Sequence, residues 1–224
     1  MSKANRVIGV MGLGLFGSAL VKRLATKGID VIACDRMEKH VNDLEDCLTI
    51  GSVGDFTDLD FMREAGFGNC DIIVIGTGEN LEAAVLGVIN CQELGVNHII
   101  CKAKNQRFAQ ALLALGVSRV ILPEEESGYH IADVISRQSI EDLINLDEET
   151  AIVEFRAPEK WINVTLDELD VRQKYDLNII GIRKHLKETL NTQFQPDYRF
   201  AKDDIIVAVA NNEKFDQIDY LERL

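Results

Sequence analysis

Val7–Gly17 reads VIGVMGLGLFG, a Val/Ile-rich run entering Gly12-x-Gly14-x-x-Gly17. A short apolar run of this kind is a buried strand, and the glycine spacing is that of a nucleotide-binding turn into a helix. Gly12 allows the tight turn, Gly14 lets backbone approach a diphosphate, and Gly17 lets the helix pack closely on the strand. A diphosphate there would sit on the unpaired N–H groups and positive dipole end of the helix. Phe16, Leu20 and Leu24 recur at i, i+4 and i+8, as an amphipathic helix requires. The next strand, Asp30–Cys34, ends at Asp35, a carboxylate placed to accept ribose hydroxyls.

Working outward, short apolar runs alternate with helical periods as far as Pro123. The strand candidates are Val7–Met11, Asp30–Cys34, Leu48–Ser52, Ile72–Ile75, His98–Lys102 and Arg119–Leu122. Alternation of this kind predicts an α/β doubly wound parallel sheet with helices on both faces. Thr57-x-x-Asp60 resembles a capping box, and Gly78-Glu79-Asn80 precedes the apolar-faced stretch Leu81–Leu94. Gly28, Gly66, Gly95 and Gly116 each stand where a helix would stop.

The chain has 224 residues, enough for one sizeable core and a small second one. A net charge of −13 argues against nucleic acid or an anionic lipid surface as partner, since phosphate repulsion would have to be overcome locally. The apolar run near the N-terminus is too short for a signal peptide and no run approaches the length of a membrane span, so the expected location is the cytoplasm. Cys34, Cys47, Cys70, Cys91 and Cys101 are odd in number, lack CxxC spacing and read as buried thiols.

After Pro123 the pattern changes. Glu124-Glu125-Glu126-Ser127-Gly128 leads into a predicted helix with Ile131, Val134, Ile135, Ile140, Leu143 and Ile144, whose apolar positions cover more than one narrow face. Such a helix caps its own sheet or packs on another subunit. Asp147-Glu148-Glu149 marks the boundary between a first domain, 1–145, and a second, 150–224. The second is predicted as strand Ala151–Phe155, a short helix near Asp167–Val171, strands Asn178–Arg183 and Ile205–Ala210, and a terminal helix from about Glu213. This small α+β unit is near the lower size limit for a self-sufficient core and is expected to pair with its own copy.

Several short motifs, in order, carry a family resemblance: GLGLFG at Gly12–Gly17, Asp35, Gly54-Asp55-Phe56-Thr57, Gly76-Thr77-Gly78-Glu79-Asn80, Lys102-Ala103-Lys104, Leu115-Gly116-Val117 and Pro123-Glu124. Together they resemble the regulatory (gating) subunits of Ktr/Trk-type potassium uptake systems, built from N- and C-terminal RCK domains. The resemblance implies a Rossmann-like sheet holding an adenine nucleotide, either ATP/ADP or NAD(H). It places Gly12, Gly14, Leu15, Phe16 and Gly17 at the phosphate turn, and Asp35 and Arg36 at the ribose. Asp55 and Phe56 fall at the adenine, and Thr77, Gly78 and Lys102 at the phosphates. It also implies that Glu124 helps hold Mg²⁺ or another divalent cation between nucleotides of paired subunits. On residues alone, Lys102 and Glu124 read rather as solvated surface charges.

One departure is Leu15, where many members place an arginine that reaches a γ-phosphate; leucine forms no such bond. This leaves ADP, AMP and NAD(H) open, and Arg36 beside Asp35 admits NADP. The second unit resembles the C-terminal RCK domain, which binds cyclic di-AMP in gram-positive relatives. The pattern here is Leu166, Asp170-Val171-Arg172, Asn178-Ile179-Ile180, with Pro196 at the pocket edge. The resemblance implies a non-catalytic, homo-oligomeric subunit, dimers assembling into an octameric ring. Its partner would be a membrane potassium-translocating subunit (KtrB/TrkH-like), met at the inner face of the cell membrane. The alternatives are a small NAD(P)-dependent oxidoreductase, although no motif pairs a histidine with a proton-relay partner, and a soluble nucleotide sensor for another protein.

Overall fold

The structure, a computed structural model, describes residues 6–137 and 140–213. The chain divides into two compact units, Met1–Glu125 and Glu126–Leu224.

The first unit is a six-stranded parallel sheet in the order β3-β2-β1-β4-β5-β6. Its strands are β1 (Val7–Met11), β2 (Asp30–Asp35), β3 (Ile50–Val53), β4 (Ile72–Ile75), β5 (Ile99–Lys102) and β6 (Arg119–Ile121). The helices are α1 (Leu15–Ala25), α2 (Glu38–Asn42), α3 (Leu59–Glu64), α4 (Leu81–Glu93) and α5 (Gln106–Ala114). Consecutive strand residues face opposite sides, so both faces must be covered. Met11, Ile73 and Ile75 join Met62 of α3, Val88 of α4 and Leu112 of α5 in one core. Val10 and Val74 face the other way, onto Val21 of α1 and Val41 of α2. Strand order reverses at β1/β4, which opens the crevice where ligands of such sheets bind.

All six predicted strands are present, with ends moved by two residues at most. The four predicted helix stops, Gly28, Gly66, Gly95 and Gly116, all have positive φ. The expected capping box is corrected: the N-cap of α3 is Asp58, whose carboxylate accepts from the amides of Asp60 and Phe61. Thr57 is displaced from that role because Asp55 accepts its amide. Cys34, Cys70, Cys91 and Cys101 are buried, and burial pushes the Cys34, Cys70 and Cys101 thiols up to about 12.

Helix α6 (Pro123–Ile135) leads into the second unit. The helix predicted to continue to Ile144 ends at Ile135, and β7 (Ile140–Asn145) is a strand instead. It joins β8 (Thr150–Arg156), β9 (Asn178–Arg183) and β10 (Ile205–Asn211) in an antiparallel sheet ordered β7-β8-β10-β9. The acidic segment Asp147-Glu148-Glu149 is the β7–β8 turn, where Asp147 accepts from the amides of Glu149 and Thr150. The division between units therefore falls before this turn, inside α6. The predicted short helix is two, α7 (Leu166–Leu169) and α8 (Val171–Tyr175), broken by the left-handed backbone of Asp170 (φ 46°). The terminal helix expected from about Glu213 lies outside the described residues.

Trp161, fully buried, anchors this core with its ring 5.6 Å from those of Tyr175 and Phe200 and 6.0 Å from Phe155. Beside it Asp204, also fully buried, is satisfied by Lys184, the Tyr198 hydroxyl (2.9 Å) and the Ala201 amide (2.7 Å). Removing one partner would leave an uncompensated buried charge, the costly case for such pairs.

Candidate functional site

At the switch point the chain leaves β1 through Gly12, whose φ of +85° suits glycine. A Cβ on Gly17 would lie 2.0 Å from the Gly12 carbonyl oxygen, so only glycine lets α1 start this close to the strand. A Cβ on Gly14, in contrast, would meet nothing within 4 Å. The space beside Gly14 opens at the N-terminus of an eleven-residue helix with no side-chain cap and no acidic residue in its first turn. That arrangement attracts anions. Leu15 is 94% exposed at this end, while the Phe16 side chain packs, partly buried, against the sheet core. The Ser18 hydroxyl donates to the carbonyls of Leu13 (2.6 Å) and Gly14 (2.8 Å) and fixes the turn, a role sequence reading missed.

Asp35 is fixed from two sides. Its Oδ2 accepts from the Leu13 amide (2.6 Å) and its Oδ1 from the Met37 amide (2.8 Å), with His40 Nδ1 3.2 Å from Oδ1. Burial pushes this carboxyl up, but the Met37 and Leu13 amides and His40 outweigh it and hold it below the ordinary value. Oδ2, with the Leu13 amide as its one partner among the described residues, keeps a lone pair for a hydroxyl donor. Arg36 pairs with Asp55, which the Thr57 amide orients from behind (3.0 Å). A cleft of about 280 Å³ is lined by Gly12, Asp35, Arg36, Phe56 and Thr77, with Met37, Asn80 and Ala83 as additions. Phe56 is mostly core: its ring packs over Gly87 and its carbonyl accepts from the buried Asn90 amide (3.1 Å).

Lys102 and Glu124, read separately in the sequence, form an ion pair of 2.7 Å. The Lys102 stem lies across Gly78, where a Cβ would meet its Cγ at 3.3 Å, and only 17% of its side chain is exposed. The pairing holds the Glu124 carboxyl below its ordinary value. No cluster of three or more metal-ligating side chains occurs among the described residues, so a cation at Glu124 would need most of its oxygens from elsewhere.

The second unit has its own pocket, of about 660 Å³. Leu166, Asp170, Val171, Arg172, Asn178, Ile179 and Pro196 all line it. Asp167, Leu177 and Phe194 line it too and carry no sequence signal of their own. Asp170 ends α7 and begins α8 at the break between them, which places Val171 and Arg172 opposite the start of β9.

The fold and the cleft of the first unit define a Rossmann-like nucleotide-binding protein carrying a small antiparallel second domain. The TrkA-N domain matches residues 8–123 and the TrkA-C domain residues 150–221. The chain is 32% identical to the Ktr system potassium uptake protein C of Bacillus subtilis over 91% of both chains. It is 31% identical to protein A of that system, covering 81% of this chain and 82% of the relative. It thus belongs to the family of Ktr/Trk potassium uptake regulatory subunits. The GsuK RCK domain superimposes with a TM-score of 0.67 at 15% identity, over 99% of this chain and 48% of that one. The GsuK channel bound to NAD gives 0.66 at 15% identity, over 96% and 39%. The chain thus spans less than half of these structural relatives, and the likeness is one of fold. No helix among the described residues is long and apolar enough to cross a membrane.

Proposed function

We propose that this chain is a cytoplasmic regulatory subunit that binds an adenine nucleotide in its first unit and cyclic di-AMP in its second, and so gates a membrane potassium-translocating partner. The observation that carries this reading is the presence of two separate clefts in one chain, each lined by residues of a sequence motif. One is lined by Gly12, Asp35, Arg36, Phe56 and Thr77; the other is lined by Leu166, Asp170, Val171, Arg172, Asn178, Ile179 and Pro196, with Ile180 of the pattern outside it. Family membership favours it over the oxidoreductase alternative.

In this reading Asp35 takes the ribose hydroxyls, Phe56 and the Arg36–Asp55 pair flank the base, and the amides beyond Gly14 take the diphosphate. Lys102 reaches the phosphates once it leaves Glu124. The freed carboxylate is then available to a divalent cation, completed by phosphate oxygens and a second subunit. In the second pocket Asn178 offers donor and acceptor to a base edge and Arg172 offers charge to a phosphate. Dimers assemble into a ring, octameric by family resemblance, and each ligand shifts the ring only as far as it prefers one shape.

The test is calorimetric titration of the whole chain with ATP, ADP, NAD⁺, NADH, NADPH and cyclic di-AMP, repeated on Gly14→Asp. A carboxylate beside Gly14 has room in the fold but stands where phosphate would lie. The expected result is one cyclic di-AMP per two chains, unchanged in the variant, and an adenine nucleotide that the variant no longer binds. Tight NADPH binding without a cyclic di-AMP response would overturn the reading.

A further inference from the structure

The second pocket has an aromatic wall that its sequence pattern does not contain. Phe194 lines it from the loop between β9 and β10. That loop is stitched down at both ends. Asn191 exchanges two backbone hydrogen bonds of 2.9 Å with Ile182 of β9, and the amides of Leu166 and Asp167 donate to the carbonyls of Tyr198 (3.0 Å) and Pro196 (2.9 Å). The Phe194 ring meets Tyr198 edge-on, centroids 6.5 Å apart at 63°. Tyr198 in turn donates to the fully buried Asp204, which Lys184 also holds. Phe194 is therefore braced from behind by a chain of contacts ending on a buried charge, yet it stays only partly buried, on the cavity side.

Phe194 packs against the edge of the core that holds Trp161, Phe155 and Phe200, and unlike those three it is only partly buried and also lines the cavity. Around Phe194 the pocket supplies aliphatic surface from Leu166, Leu177 and Ile179 and polar groups from Asp170, Arg172 and Asn178. Apart from the Arg172 guanidinium, that set has no stacking plane and no aromatic ring, the neutral surface on which the face of a heteroaromatic base packs. We propose that Phe194 is a specificity-determining residue of this pocket, stacking on a purine base of the bound dinucleotide. This inference rests on the cyclic di-AMP reading above. It adds a residue that takes the face of the base, while Asn178 takes its edge.

The experiment measures cyclic di-AMP affinity by calorimetry on the full chain and on Phe194→Tyr, Phe194→Leu, Phe194→Ala and Asn178→Ala. ADP affinity at the first cleft and a cooperative thermal transition serve as controls for folding. Phe194→Tyr keeps the ring and stays within about two-fold of the parent. Phe194→Leu keeps apolar bulk but loses the π face, weakening binding roughly five-fold, and Phe194→Ala weakens it further. Wild-type-like affinity in Phe194→Leu with loss in Asn178→Ala would overturn the stacking role and leave the pocket reading intact. No binding by the parent chain overturns both.

Discussion

Lys102 cannot serve two anions at once. Its ammonium is committed to Glu124, and its stem is laid over Gly78, beside the space a nucleotide phosphate would enter. A phosphate that recruits it must first break a partly exposed ion pair, worth about 1 kcal/mol or less. Glu124→Gln removes that competition. The expected outcome, measured by titration in EDTA to keep cations out, is ADP binding about three-fold tighter than in the parent. Equal or weaker binding would show that Lys102 stays away from the phosphates.

Among the elements, α3 shows how a local motif can be displaced by its neighbour. Thr57-x-x-Asp60 has capping-box spacing, but Asp55 claims the Thr57 amide and leaves Asp58 to hold the helix. Asp58→Ala is expected to cost about 1 kcal/mol in chemical denaturation, and Thr57→Ala clearly less. Strand β7 shows how a periodicity can mislead. Ile140, Leu143 and Ile144 repeat at i, i+3 and i+4, the signature of a helix, but a bulge between Ile140 and Asp142 shifts the pleat. Both Ile140 and Leu143 then face the core while Ile144 is 60% exposed, so an irregular strand imitates a helical stripe. The central parallel strands were legible for the opposite reason: β1, β2 and β4, largely buried, read as continuous apolar runs, whereas the edge strand β3 is mostly exposed and was found by its place in the alternation. The residues proposed to line the two clefts were nameable because they lie in short motifs, and Gly12, Asp35, Arg36, Phe56 and Thr77 meet at one cavity, Leu166, Asp170, Arg172 and Asn178 at the other. The Lys102–Glu124 ion pair, the Ser18 hydrogen bonds and the position of Phe194 in the second cavity were not, because they depend on contacts made only in the fold.

Over the whole molecule, each core closes within its own unit: two clusters lie entirely among residues before Pro123, and the third entirely after it. Units of this kind unfold independently unless coupled through an interface. Scanning calorimetry is expected to resolve two transitions, with saturating ADP raising one and cyclic di-AMP the other. A single transition moved equally by both ligands would show that the units melt as one. The burial of Trp161 makes the same question accessible without calorimetry. It is the chain's one tryptophan, and it belongs to the second unit, stacked near Tyr175 at the end of the helix that presents Arg172 to the pocket. Its ultraviolet emission is thus a built-in optical probe of the small domain, blind to direct contact with the nucleotide cleft. A change in that emission on adding ADP would be a signal that had travelled from one domain to the other.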